Sequence, residues 1–208
     1  MNLTLSGILI SIPGVIIAVT LHEYTKSLVA YKLGDTNIKA QKRLAPNPLK
    51  HMDILGSIFL VVFRYGWASP VRLAPFSYKS RQKAMLLIFV MPFLANIIAG
   101  AALAIAGNIF AANMLQLAGT FSMQALSNIR MVLFFAALTN ISFALFSLIP
   151  IYPLNGIHLL WAIKPTWAVK MSQYEGILKL ALVFFIIIGF AGQVFTPLSL
   201  RMIAALSL

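Results

Sequence analysis

The chain has 208 residues, 61% of them hydrophobic and 10% charged, with a mean hydropathy of +0.92. These fractions exclude an ordinary soluble domain and make the bilayer the expected solvent. The net charge of +12 comes from 16 basic and 4 acidic residues, and the absence of cysteine excludes disulfides and thiolate metal sites.

A helix needs roughly 20 consecutive apolar residues to cross the hydrocarbon core. Runs of that kind lie near residues 3–21, 84–107, 131–151 and 177–195, so at least four spans, and four to six membrane segments in all, are expected. The first run has no basic n-region or small-residue cleavage site and reads as a retained helix. Pro13-Gly14 interrupts it and is expected to kink or loosen the helix, most simply for packing. At its end stands Leu21-His22-Glu23-Tyr24-Thr25-Lys26, where an acid close to membrane depth is functional or paired by default.

Pro46, Pro48, Pro70 and Pro75 mark residues 35–80 as a loop-rich region with possible short strands. Within it, residues 54–63 are too short to cross and read as a partial or re-entrant segment, and residues 108–127 are similarly ambiguous. Pro150 and Pro153 end the helix that begins near Arg130, which makes 149–156 irregular backbone at membrane depth and a candidate site wall.

The basic residues lie mainly in loops, where the positive-inside rule accounts for them and nucleic acid is not an expected partner. Lys26, Lys32, Lys39, Lys42, Arg43 and Lys50 precede His51, and Arg64, Arg72, Lys79, Arg81 and Lys83 precede the second long run. Both groups are assigned to the cytoplasmic side, so the segment 54–63 enters and returns, and the N-terminus lies outside. No internal repeat or linker divides the chain, and residues 1–208 are read as one integral membrane domain.

His22-Glu23 is half of the zincin motif H-E-x-x-H, in which two histidines one turn apart bind zinc and the glutamate acts on a metal-bound water. Three further patches extend it. Residues 47–56 read N-P-x-x-H-x-D-x-x-G, Gly66-Trp67-Ala68-Ser69-Pro70-Val71 is similar to a G-W-A-K-P-V loop, and Pro150-Ile151-Tyr152-Pro153-Leu154-Asn155-Gly156 is similar to P-I-P-P-L-D-G. Together with Met91-Pro92-Phe93-Leu94-Ala95-Asn96, in this order over residues 15–160, they resemble the site-2 protease family of intramembrane zinc metalloproteases.

The resemblance implies an all-α polytopic bundle that cuts transmembrane substrates within the bilayer, with the site near the cytoplasmic side. It implies zinc held by His22 and by the positions of Lys26 and Asn155, with Glu23 as general acid/base and Asn140 stabilising the transition state or positioning substrate; otherwise Asn140 is an interhelical hydrogen-bond partner. Lys26 and Asn155 depart from the family's histidine and aspartate. A lysine must first shed a proton that it ordinarily holds up to about pH 10.4, and a neutral amide lacks the attraction of a carboxylate, so zinc is expected to be absent or weakly bound.

Lys26 lies three residues after Glu23 on one helix face, so an ammonium can balance the carboxylate without metal. The reading that follows is a zinc-free, proteolytically inactive homologue that binds transmembrane segments or partner membrane proteins. The alternative is an active metalloendopeptidase with atypical ligands, in which His51 and His158 join His22 in a three-histidine site. A third class, proton transport through Glu23 and Lys26, lacks the internal repeat usual for transporters. Asn96 is assigned a structural part, Asp53 a cap or salt bridge to the basic loop, Asp35 a turn, and Trp67, Trp161 and Trp167 interfacial anchoring.

Overall fold

The computed structural model describes residues 5–206. The chain is an all-α polytopic membrane protein. Its long helices are α1 (Leu5–Lys32), α5 (Arg81–Ala112) and α7 (Met123–Ser147), each apolar enough to cross a bilayer. Between α1 and α5 lie the short helices α2 (Asn37–Ala40), α3 (Pro48–His51) and α4 (Ile54–Phe63). The chain then passes through α6 (Met114–Leu117), and after α7 through α8 (Ile157–Ile163), α9 (Pro165–Gln173), α10 (Glu175–Ile187) and α11 (Phe190–Ala205).

α7 is the central element and packs against α1, α5 and α11. Residues 136–147 are buried on every face, the pattern of a helix apolar all round and enclosed by protein. In its most apolar stretch 61% of the residues are buried, against 22% for α5, so α5 supplies lipid-facing surface. Gly14 permits the closest approach of α1 to α7: a Cβ there would stand 2.6 Å from Ala136 Cα. The Pro13-Gly14 interruption therefore acts in packing, and α1 continues through it. Asn96 of α5 donates to the Ala18 carbonyl of α1 at 3.0 Å, a polar tie between two membrane helices.

The third apolar span is a helix that starts earlier than the run 131–151 and stops at Ser147, where the irregular segment begins. The fourth expected span is not a single straight helix. α10 and α11 meet at 68° across Ile188 and Gly189, and Gly189 has φ 79°, the left-handed region glycine adopts at little cost. The chain thus has three spanning helices, or four if the bent pair is one span. Residues 108–127 complete α5, form α6 and begin α7.

The possible strands of 35–80 do not form. Among the described residues extended pairing is limited to one antiparallel bridge between Met52 and Ala68, because Pro70 and Pro75 deny the neighbouring chain its donors. The region is organised by polar contacts instead. Asp35, expected to serve a turn, is buried and accepts from the Asn37 and Ala74 amides, each at 3.1 Å, and from the Tyr78 hydroxyl at 2.9 Å. Burial, and then the carboxylate beside it, push the Tyr78 phenol above its ordinary value of 10.0.

Asp53 caps α4 by accepting from the Gly56 amide at 2.8 Å, but its cationic partner is Lys179 of α10, at 3.7 Å, rather than the basic loop. Trp67 is fully buried among Phe59, Phe146 and Leu182 and is not an interfacial anchor, whereas Trp167 is exposed. Replacing Asp35 with alanine leaves three donors without their shared acceptor and is expected to cost about 2–3 kcal/mol. A lowered thermal midpoint in detergent, with no change for Asp53→Asn of comparable size, is the expected measurement.

Candidate functional site

The site forms where α1 runs out of apolar sequence. His22, Glu23, Lys26 and Ser27 are all buried there. On a helix the third residue onward lies over the first, and Lys26 Nζ accordingly donates to Glu23 Oε1 in a close buried ion pair. Two opposite charges in contact attract by about 4 kcal/mol at an effective dielectric near 20. Removing either one leaves the other buried alone, at a cost of about 3–5 kcal/mol.

His22 packs edge-on against Phe143 of α7, with ring centroids 5.1 Å apart, which sets the depth of the site along the bundle. Asn155 donates to the Phe89 carbonyl of α5 at 2.7 Å. Phe89 is two turns along α5 from Asn96, which meets Ala18. Two turns along α1 from Ala18 is the level of Thr25 and Lys26, so Asn155 is fastened to α5 at about the level of the ion pair. Gly156 makes this possible, since a Cβ there would lie 2.3 Å from the Leu148 and Ile149 carbonyl oxygens.

The remaining sequence-selected residues are placed around this level. His158, on α8, is partly buried, lines a cavity among the loops and lies within electrostatic reach of Lys26. His51 is buried at the end of α3, and its Nε2 is 2.9 Å from the Ala45 carbonyl oxygen. Burial holds the His51 imidazole below its ordinary value of 6.5, with the Ala45 bond and the Glu23 charge opposing. Asn140 donates to Ala136 of its own helix at 2.8 Å. Among the described residues no hydrogen-bond partner meets His22 Nδ1, Glu23 Oε2, Asn140 Oδ1, Asn155 Oδ1 or His158 Nδ1.

These residues do not fit Zn²⁺ as a resident cofactor. The three ligand positions implied by the resemblance carry one imidazole, one ammonium already bound to Glu23, and one amide committed through its nitrogen. Among the described residues no group of three or more His, Asp or Glu side chains is placed to hold a metal ion, so His22, His51 and His158 do not converge as a substitute.

A cavity of about 730 Å³ opens among the loops and α8, lined by Arg43, Arg72, Tyr152, His158, Trp161 and Glu175 among others. Arg43 is held on its wall by Ser69, donating to the hydroxyl at 2.8 Å and the carbonyl at 3.3 Å. Burial and Glu175 raise the Tyr152 phenol above 10.0. Sequence reasoning did not select Arg43, Tyr152 or Glu175 for the site. They come from three separate segments, and only the 149–156 break signalled that a cavity wall lay nearby.

A comparison with curated proteins finds a relative in Bacillus subtilis (strain 168), named "Putative zinc metalloprotease YwhC", 30% identical over 161 residues, which are 77% of this chain and 72% of the relative. No protein-family model and no solved structure matches the chain.

Lys26→Met should lower stability by about 3–5 kcal/mol, and Glu23→Leu combined with Lys26→Met should recover most of it, because the apolar pair has no charge to strand. Thermal unfolding in detergent reads both. For His51 the folded pKa is depressed, so the unfolded chain binds more protons below 6.5. Stability should be full above that pH and decline as pH falls through it, and His51→Gln should flatten the decline.

Proposed function

The chain belongs to the same metalloprotease family as that Bacillus subtilis relative, and we propose that it is a zinc-free, proteolytically inactive member of the site-2 protease type, which binds transmembrane segments in the former substrate groove. The observation that carries this reading is the buried Lys26–Glu23 ion pair. It neutralises the acid internally and engages the carboxylate that a protease of this type uses on water.

In this reading the chain's own residues hold a partner segment rather than cut it. Asn140 and Asn155 each have a buried amide oxygen free of protein donors, able to accept from backbone amides of a segment locally unwound beside the 149–156 break. Glu23 keeps one oxygen, Oε2, without a protein donor, while its other oxygen is engaged by Lys26. The groove is assigned to the cytoplasmic side from the loop charge.

A second reading, an active metalloendopeptidase with Glu23 as general acid/base, draws on the relative's printed name and on the partner-free His22 Nδ1. Metal analysis of the purified protein separates the two. The proposal expects no stoichiometric zinc and no cleavage of a reconstituted transmembrane substrate. Lys26→His with Asn155→Asp should create zinc binding where there was none. Stoichiometric zinc in the unaltered protein that is lost in His22→Ala, or cleavage abolished by a chelator and by Glu23→Gln, would overturn it. A photocrosslinker at position 155 should trap a membrane-embedded partner, and labelling equal to that from lipid-facing Ile98 counts against the binding role.

A further inference from the structure

Among the described residues Arg64 is a cation with no carboxylate beside it, and it lies against a membrane helix. Arg64 follows α4, and the sequence groups it with the cytoplasmic basic residues. Its guanidinium instead stacks on Phe135, with Cζ 4.0 Å from the ring centroid, and its Nη1 is buried with no acceptor. Phe135 is the midpoint of α7, so it lies ~18 Å along the axis from either end. It is also one residue from Ala136, the contact of Gly14, which is eight residues, or ~12 Å, along α1 from His22. Arg64 therefore sits well inside the bundle's membrane depth, a level outward of the Lys26–Glu23 pair.

All four acidic side chains are placed elsewhere. Glu23 holds Lys26; Asp35 holds Tyr78 and two loop amides; Asp53 caps α4 and faces Lys179; Glu175 lines the polar cavity. The backbone at Arg64 is also in a conformation that favours glycine, with φ 66° and ψ 7° at the C-cap of α4. An arginine at such a position, without an ion partner among the described residues and level with the middle of α7, is a candidate binding group.

We propose that Arg64 receives the carboxylate of an Asp or Glu borne by a partner transmembrane helix. This rests on the reading of the protein as a binder of transmembrane segments and names the chemistry of the segment it selects. The guanidinium fork matches a carboxylate bidentately, and its half-buried side chain is already stacked on Phe135, so little further ordering is needed. A lipid phosphate is the other anion available to it, but headgroups lie ~15 Å from the centre of a hydrocarbon core ~30 Å thick, too far to reach the midpoint of α7.

The test uses the full chain in nanodiscs of zwitterionic lipid, with designed Leu/Ala helices of about 20 residues carrying one central Glu, one central Gln or one terminal Glu. Energy transfer between labelled helix and protein reads affinity. The central-Glu helix should bind about tenfold more tightly than the other two. Arg64→Gly, which suits the left-handed backbone and keeps the fold, should abolish that preference without lowering the thermal midpoint. Arg64→Glu should transfer the preference to a helix with a central Lys.

Equal binding of Glu and Gln helices, or a preference that survives Arg64→Gly, overturns the assignment of Arg64. If both helices still crosslink to position 155 in that case, groove binding stands. If the Glu preference holds but position 155 captures neither helix, the groove reading fails and Arg64 stands. Loss of the preference on adding phosphatidylglycerol would make anionic lipid the ligand and overturn the helix carboxylate.

Discussion

Lys26 and Glu23 hold each other's charge inside a membrane protein. An isolated ion at this depth has neither water nor a mobile counterion, and its solvation penalty exceeds what a few nearby dipoles return. The helix supplies the remedy through spacing alone, since residues three apart share a face. Once the pair exists, the surroundings can remain largely apolar or neutral: Phe143 beside His22, and amides at Asn96, Asn140 and Asn155. A doubly charged metal in the same place would require the ammonium to leave its carboxylate and give up a proton, and would gain no compensating acid, because Asn155 is neutral.

The framework around the pair is built on α7. Its last three turns are enclosed on all sides, so helices on either flank are referenced to one rigid element. Gly14 brings α1 close, Asn96 ties α5 to α1, and Asn155 is fastened to α5. These contacts leave amide oxygens rather than acids facing the interior. That is a chemistry suited to accepting hydrogen bonds from polypeptide backbone, as the proposed binding role requires.

Much of the site was legible because its signals are local. His22-Glu23 and Lys26 share one turn, and Pro150 and Pro153 announce the break that carries Asn155. Other assignments failed where the decisive partner is distant in sequence. Trp67 carries the amphipathic ring of an interfacial residue, yet Phe59, Phe146 and Leu182 close over it. Asp35 follows a glycine as turn acids do, but Ala74 and Tyr78, far along the chain, make it a buried acceptor. The run 177–195 has a span's length and hydropathy, and hydropathy is blind to a left-handed Gly189 that turns the helix by 68°.

Composition, run length and the i, i+3 relation of Glu23 and Lys26 determined by themselves that this is a polytopic membrane protein with an acid–ammonium pair just past the apolar run of its first helix. They could do so because hydrophobic length and helical periodicity are properties of contiguous chain. Only the tertiary structure decided that, among the described residues, His22, His51 and His158 form no three-ligand group, that Asn155 is fastened to Phe89 of α5, and that Arg64 lies on Phe135 with no acid beside it. Convergence of side chains from separate helices depends on crossing geometry and close approach at residues such as Gly14 and Gly156, which linear spacing does not encode.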